Sequence, residues 1–311
     1  FDNAGTAAIT VGAITETAPG IFSVVVTPTT EGTLRLRIPA GAVILNTANN
    51  ALAAGVQDDA VVNVANPILV AGADAGANVS VFKADGTLQQ SFLAFTASFK
   101  GGVRVALGDV NGDGTLDIIA AQGAGVRPAV KIIDGAKLGQ IPANGQVPAG
   151  ALLGTFFVQP STFKGGLFVA AGDVNADGKS DIVVGLGKGS KPIVLVIDGA
   201  KSNQFSGQIA TAALLGNFLA DVPTFTGGVT VAAGDVNGDG KADVITGLSA
   251  GGKPRVKIID GTKLNLVKAN KEIKNAALLG NVLALPPATL RGVFVAAGDV
   301  NGDGKADVIV G

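Results

Sequence analysis

The chain has 311 residues, with 23 basic and 24 acidic side chains and a net charge of −1, so it offers no basic field for nucleic acid. It contains neither Cys nor His, which excludes disulfides, Ser-His or Cys-His catalysis and His-ligated zinc within these residues. No apolar run approaches the roughly 18 residues of a membrane span.

The first 65 residues predict a small antiparallel β-sandwich, because short alternating runs are separated by turn residues. These runs lie at residues 6–11, 21–27, 33–38 and 60–64. The stretches RIPAGAV (37–43) and NNALA (49–53) resemble the C-terminal half of bacterial immunoglobulin-like (Ig-like) modules. Such a sandwich needs about 100 residues, so we expect part of it to lie before residue 1. Asn66-Pro67 predicts the boundary with a second domain, residues 66–311.

From residue 68 onward the chain is a repeat array. The phrase Asp-x-Asn-x-Asp-Gly-x-x-Asp begins at residues 109, 173, 235 and 299, with Ala176 replacing glycine at position 4 of the second copy. Because position 4 is not a ligand, we expect this replacement to matter little. Three other short motifs recur with the same spacing. They are Phe-x-Gly-Gly from 99, 163 and 225, Ile-Asp-Gly from 133, 197 and 259, and Leu-Leu-Gly from 152, 214 and 278.

Each repeat predicts four strands, and four-stranded units repeated radially make a β-propeller. The predicted fold class is therefore all-β, a propeller of four-stranded blades preceded by the sandwich segment. The array contains three complete blades and a partial blade at each end. Such an array does not close into a ring, so we expect the protein to continue beyond residue 311.

Oxygen donors stand at alternate positions of the nine-residue phrase. Positions 1, 5 and 9 are Asp, position 3 is Asn, position 7 would offer its backbone carbonyl, and the glycine at position 6 permits the turn that gathers them. A hard cation that takes six or more oxygens suits this set, so the sequence predicts about four Ca²⁺ sites. The predicted ligands are Asp109, Asn111, Asp113, Thr115 and Asp117; Asp173, Asn175, Asp177, Lys179 and Asp181; Asp235, Asn237, Asp239, Lys241 and Asp243; and Asp299, Asn301, Asp303, Lys305 and Asp307.

Two other interpretations of the phrase are weaker. Asp, Asn and Gly also make ordinary hairpin turns, but a turn needs one or two such residues rather than four in fixed phase. An EF-hand needs a bidentate Glu at position 12 and flanking helices, whereas position 12 here is Ala120, Val184, Thr246 or Val310 within apolar runs. The loop is therefore expected to join two strands.

The sequence from Phe-x-Gly-Gly through this phrase to an apolar strand ending in Gly resembles the FG-GAP repeats of integrin α-subunit propellers. It also resembles the related VCBS-type repeats of bacterial surface and secreted proteins, over residues 68–311. The resemblance implies a propeller, commonly seven-bladed, with Ca²⁺ in hairpin loops on one face. No catalytic residue or organic cofactor is implied.

These features favour a calcium-binding, non-enzymatic, secreted or cell-surface protein with a structural or adhesive role. The chain contains no Met and no signal peptide, so we expect it to begin downstream of one. The alternative is a non-catalytic accessory region of a secreted polysaccharide-active enzyme. The partner would be a protein or glycan ligand, or further copies of the chain in self-assembly on the cell surface.

The repeats differ most at residues 136–150, 200–212 and 262–276. We expect these variable segments to lie on the face opposite the metal loops. They are candidates for ligand recognition there, with plain solvent-exposed loops as the alternative.

Overall fold

The computed structural model describes residues 68–158, 162–204, 206–286 and 291–311, together with the backbone of seven strands between residues 2 and 64. The chain divides into two compact units. One contains Phe1–Ile68 and Lys83–Asp85, and the other contains Leu69–Phe82 and Gly86–Gly311. The regular elements of the described residues are strands and short 3-10 helices, and none of these helices is long and apolar enough to cross a membrane.

The described strands of the first unit pair in antiparallel fashion. Strand β5 lies between β1 and β6, β2 forms a hairpin with β3, and β4 pairs with β7. Their bounds are β1 (Asp2–Asn3), β2 (Ile9–Ala18), β3 (Ile21–Pro28), β4 (Gly32–Leu34), β5 (Leu36–Ile38), β6 (Val56–Gln57) and β7 (Val62–Val64). The four predicted runs thus contain strands. The Ig-like assignment of residues 1–65 falls mostly outside the described residues and stays a prediction.

Residues 68–311 contain five successive sheets, I to V, which belong to the second unit except for Ile68 and Lys83 at two strand ends. Sheet I has three strands, sheets III and IV have four each, and sheet V has two. Sheet II has four antiparallel strands and one added parallel strand, β18. The bounds are β8 (Ile68–Gly72), β9 (Asn78–Lys83) and β10 (Leu88–Leu93) in sheet I; β11 (Val103–Gly108), β12 (Asp117–Gln122), β13 (Ala129–Ile133), β14 (Leu152–Phe157) and β18 (Ser206–Gln208) in sheet II; β15 (Leu167–Gly172), β16 (Asp181–Leu186), β17 (Ile193–Ile197) and β19 (Leu214–Leu219) in sheet III; β20 (Val229–Gly234), β21 (Asp243–Leu248), β22 (Arg255–Ile259) and β23 (Leu278–Leu283) in sheet IV; and β24 (Val295–Gly298) and β25 (Asp307–Val310) in sheet V.

The 3-10 helices all lie between the third and fourth strands of a repeat. They span Gly135–Gln140, Ala149–Ala151, Gly199–Gln204, Thr211–Ala213, Gly261–Lys263 and Asn275–Ala277.

Neighbouring sheets meet through their first strands, which are rich in small residues. A Cβ added to Gly108, at the end of β11, would lie 2.8 Å from the Cβ of Ala171 on β15. The equivalent distance from Gly172 to Ala233 is 3.1 Å, and that from Gly234 to Ala297 is 3.0 Å. Small residues are therefore required where consecutive first strands approach each other. The predicted four-stranded units are confirmed, while the sheets form no closed ring within the described residues.

The core lies between consecutive sheets rather than inside any one of them. Strand β16 is buried along its whole length, as expected of a continuous apolar run covered on both faces. Ile182 belongs to the cluster between sheets II and III, and Val183 belongs to the cluster between sheets III and IV. Alternate side chains of one strand thus enter two different cores.

The variable segments cover the outer edges of the sheets. In each case the segment of one repeat runs parallel to the fourth strand of the preceding sheet: Gln146 pairs with Leu93, β18 with β14, and Glu272 with Leu219. An outer strand left bare would present unpaired N–H and C=O groups to other chains. These segments therefore have a structural role, for which their sequences give no signal.

The prediction that the variable segments lie on the face opposite the metal loops holds only for the middle of each segment. There the carbonyl of Lys271 accepts a hydrogen bond from the N–H of Leu219, the last residue of a fourth strand. The two ends of each segment lie at the metal loops. The N–H of Gly135, where the first segment begins, donates a 2.9 Å hydrogen bond to the Asp117 carboxylate of the metal loop. Gly199 donates to Asp181 in the same way. The reason is the antiparallel order of the strands, which returns the connection after strand three to the end of the sheet where strands one and two are joined.

Candidate metal centre

Each nine-residue loop joins the first two strands of a sheet, as the sequence predicts. Asp117, the last residue of the first loop, is also the first residue of β12 and pairs with Gly108 at the end of β11. Gly114 has a backbone φ of 85°, in the left-handed region that glycine adopts at little cost. The chain can therefore reverse tightly and place its polar side chains on the inside of the turn.

The Asp at position 1 organises the loop through hydrogen bonds from backbone amides. Asp109 Oδ1 accepts hydrogen bonds from the N–H groups of Gly112 (2.7 Å) and Asp113 (3.1 Å), and its Oδ2 accepts one from Gly114 (2.8 Å). The loops beginning at Asp235 and Asp299 repeat all three bonds. The first carboxylate thus holds the turn together.

Positions 3, 5 and 7 of the loop are linked to one another by hydrogen bonds. Asn111 Oδ1 accepts from the N–H of Asp113 (2.8 Å), and Asn111 Nδ2 donates to Asp113 Oδ2 (2.9 Å). Asp113 Oδ1 accepts from the N–H of Thr115 (2.8 Å). Position 7 is thus tied to the loop through its N–H group, and the role predicted for its carbonyl as a metal ligand stays a prediction.

The Asp at position 9 lies apart from the others, within the sheet. The side chains of Asp117, Asp181 and Asp243 are fully buried, each with 0% exposure. In the first loop the two carboxylate oxygens accept one N–H each, from Val110 (2.9 Å) and Gly135 (2.9 Å). Burial raises the pKa of Asp117 to about 6 and that of Asp181 to about 7, and it also raises the pKa of Asp243. Nearby position 5 carboxylates raise these pKa values further.

Position 5 has the opposite electrostatic environment. Partial burial acts to raise the pKa of Asp113, but hydrogen bonds from Asn111 and Thr115 outweigh it and lower the pKa. The loop therefore keeps an ionised carboxylate at its exposed tip while a second carboxylate is buried at its base.

The four loops are also bonded to one another. The N–H of position 8 in one loop donates to the carbonyl of position 1 in the preceding loop, with a length of 2.7 Å in all three cases. The pairs are Ser180 to Asp109, Ala242 to Asp173 and Ala306 to Asp235. This makes the loops a continuous series along one end of the sheets.

The donor set fits a hard cation by its chemistry. Each loop offers three carboxylates, one side-chain amide and a backbone carbonyl, and each carboxylate oxygen that accepts a single N–H keeps a lone pair for a metal. In the described part of the chain, no three acidic side chains converge as a ready-made cage. Positions 1, 3 and 5 are brought together by the loop network, and position 9 is held below them by the sheet.

Position 4 carries a conformational cost that was not anticipated. Ala176 has a backbone φ of 60°, close to the 80° of Gly112 and Gly238 at the same position. Residues with a Cβ seldom adopt this region, so alanine is strained there. The expectation that this replacement matters little is therefore wrong for the backbone, even though position 4 supplies no ligand.

The recurring Asp-Gly pair that follows strand three contacts the metal loop. A Cβ on Gly199 would lie 2.0 Å from the carbonyl oxygen of Ser180, so only glycine allows this approach. The preceding Asp198 accepts from the N–H of Ala200 (3.0 Å) and forms a 2.6 Å ion pair with Lys201. The recurring Asp-Gly-x-Lys sequence was the available signal, but its partner across the sheet is not visible in sequence.

Residues 173–246 match the FG-GAP-like repeat family, and residues 291–311 match the FG-GAP repeat family. The chain contains FG-GAP repeats. No curated protein sequence matches it. FG-GAP repeats are typical of extracellular and cell-surface proteins, and they suggest an adhesion-like role.

Three solved structures resemble the chain distantly. The V. cholerae biofilm matrix protein Bap1 is 15% identical, with a TM-score of 0.34 and 69% of this chain covered. The exotype rhamnogalacturonan lyase YesX is 13% identical (TM-score 0.42, 96% covered), as is the Bacillus licheniformis rhamnogalacturonan lyase PL11 (TM-score 0.41, 99% covered). The matches cover 28%, 55% and 57% of those three chains, respectively.

Proposed function

We propose that this chain is a calcium-stabilised, non-catalytic module with a structural or adhesive role in an extracellular or cell-surface protein. The observation that carries the proposal is the loop series, in which four copies of one oxygen-donor set are bonded to each other in order. A protein needs no such series merely to turn between strands. We also propose that the sheets belong to a β-propeller, which is supported by their meeting through small first strands.

Calcium suits the loops better than magnesium. Ca²⁺ accepts six to eight oxygens in flexible geometry, whereas Mg²⁺ requires a near-ideal octahedron and retains water. Three carboxylates per loop supply more negative charge than one divalent ion neutralises. Extracellular calcium modules bind at about 10⁻⁴–10⁻³ M, a range that extracellular calcium can fill.

The direct test is isothermal titration of the chain with CaCl₂ and, separately, with MgCl₂. We expect about four Ca²⁺ per chain and weaker binding of Mg²⁺. The variant Asp239→Asn removes the charge at position 5 of the third loop and should reduce the count by one. Asp74→Asn, at an exposed acid outside the loops, is the matched control and should leave the count unchanged. Wild-type protein that binds no Ca²⁺ would refute the proposal.

The cellular location is tested separately with an antibody raised against the chain. We expect it to label intact cells or the culture medium of the source organism. Labelling that requires cell permeabilisation would contradict the proposal.

A further inference from the structure

The end of the sheets opposite the metal loops carries a marked excess of positive charge. This cationic face consists of the connections between strands two and three and of those that lead from one sheet to the next. In sheets II to V its described residues include seven Lys or Arg and one acid, Asp221, whose Oδ2 lies 3.8 Å from Arg255 Nε. The loop face, by contrast, holds most of the Asp residues. The charges of the second unit are thus separated between its two ends.

Part of this positive charge recurs at the same positions in successive repeats. A cation directly precedes a buried proline after strand two in each complete sheet, in Arg127-Pro128, Lys191-Pro192 and Lys253-Pro254. Lysine also occupies the second position of Phe-x-Gly-Gly, as Lys100 and Lys164. Because the repeat places these groups at equivalent points of successive sheets, the charges form an arc rather than a random scatter.

Two grooves lie along this arc and share one lysine. The first has a volume of about 490 Å³, and its polar lining includes Thr162, Lys164, Lys188 and Ser190. The second has a volume of about 550 Å³ and is lined by Lys188, Thr224 and Thr226 among others. Among the described residues that line either groove, none is acidic.

The cations of this face are available to a ligand. Lys164, Lys188, Lys191 and Lys253 are exposed, and within the described part of the chain none of them forms an ion pair. The buried Nε and Nη2 atoms of Arg127 have no hydrogen-bond partner among the described residues. Its guanidinium carbon lies 4.5 Å from the centre of the Phe157 ring. The exposed lysines, rather than this buried guanidinium, are therefore the groups that an anion can reach.

We propose that the cationic face binds a linear acidic polysaccharide whose sugars carry carboxylates, laid along the arc through both grooves. A polymer is inferred because the two grooves are consecutive and share Lys188, so that one chain can occupy both. The hydroxyls of Thr162, Ser190, Thr224 and Thr226 match sugar hydroxyls, since each both donates and accepts hydrogen bonds. Phe163, at the first groove, is 5% exposed and offers no ring for base stacking. Phe225, at the second groove, is half-buried, so nucleic acid is the competing ligand that the test includes. This proposal does not depend on calcium.

The test is fluorescence polarisation with a labelled hyaluronate decasaccharide, at low and at high NaCl concentration. The variant carries Lys164→Gln and Lys188→Gln, which remove two exposed charges from the first groove. The matched control carries Lys263→Gln and Lys274→Gln, two exposed lysines of a variable segment near the metal-loop end. Each surface charge pair contributes up to about 1 kcal/mol to binding. We therefore expect the affinity of the groove variant to fall about tenfold and that of the control to change by less than about twofold.

Binding should also weaken strongly with salt, because the Debye length falls from about 10 Å at 0.1 M to about 3 Å at 1 M. Three results would overturn the proposal. In the first, the wild-type chain binds the decasaccharide no more tightly than a neutral dextran of equal length. In the second, the two variants lose the same affinity for the decasaccharide. In the third, the wild-type chain binds oligothymidylate as tightly as the decasaccharide or more tightly. Melting curves of both variants test whether these surface substitutions leave the fold intact.

Discussion

The backbone N–H of Ser180 donates a 2.7 Å hydrogen bond to the backbone carbonyl of Asp109. Ser180 is the eighth residue of one loop, next to the buried Asp181, and Asp109 is the first residue of the preceding loop. The bond therefore connects position 1 of one candidate metal site with the residue beside the buried position 9 of the next. A cation that orders Asp109 would also restrain the neighbouring loop through this bond.

We expect the four loops to bind calcium with positive coupling for this reason. Asp173→Ala combined with Asp177→Ala disables the second loop, which is bonded to a loop on each side. One site should be lost, and calcium binding at the remaining sites should weaken by about fivefold, at the lower end of common coupling energies. Isothermal titration with CaCl₂ gives both the number of sites and their affinity.

The matched control for coupling is Asp299→Ala with Asp303→Ala. This pair disables the fourth loop, which is bonded within the described residues to the third loop alone. It should also remove one site, but with a smaller effect on the others. Unchanged affinity at the remaining sites in both variants would show that the loops bind independently.

Replacing Gly199 with alanine should destabilise the protein by about 2–3 kcal/mol, as overpacking commonly does. The new Cβ would lie 2.0 Å from the carbonyl oxygen of Ser180, so backbone must move. That movement also weakens the 2.9 Å hydrogen bond from Gly199 to the buried Asp181 carboxylate. Urea denaturation at constant free calcium measures the change in the free energy of unfolding.

Gly150→Ala is the control, because a Cβ on Gly150 would have no heavy atom within 4 Å. This substitution should lower the free energy of unfolding by less than about 0.5 kcal/mol, as expected of an exposed site. If Gly199→Ala were as stable as this control, the close approach of the two connections would not exist in solution.

Replacing Ala176 with glycine should stabilise the protein by about 0.5–1 kcal/mol. A left-handed residue with a Cβ costs roughly 1–2 kcal/mol, and part of the gain is offset by the greater chain entropy of glycine in the unfolded state. The same urea experiment measures this difference. Ala149→Gly, at an exposed residue of a 3-10 helix, has no positive φ to relieve and should lower stability. A loss of stability in both variants would argue against strain at Ala176.

The periodic features of the sequence predicted the repeating sheets well. The alternating and continuous apolar runs place β11 and β12 correctly, and the loop phrase marks the turn between Gly108 and Asp117. These features are local, because the strands on each side of a short loop must pair with each other. The same locality explains why positions 1, 3 and 5 could be predicted to lie in one tight polar turn.

Contacts between repeats could not be predicted in the same way. Nothing in the sequence near Gln208 indicates that this residue pairs with Phe157 of the preceding repeat. The variable segments were consequently assigned to one face, although they begin and end at the metal loops and reach the opposite face only in the middle. Their position depends on the return of the chain after strand three. Similarly, Gly199 was visible as a recurring glycine, but the neighbour that requires it is Ser180 in the metal loop.

The central claim is that calcium stabilises this fold through the Asp loops, and thermal unfolding across a series of free calcium concentrations tests it most directly. At about 100 times the dissociation constant, each independent site adds about 2.7 kcal/mol to the free energy of unfolding. We expect the melting temperature to rise steadily with free Ca²⁺, to fall when a chelator is added, and to respond little to Mg²⁺. A melting temperature that is the same in calcium and in excess chelator would contradict the claim and leave the loops as ordinary turns.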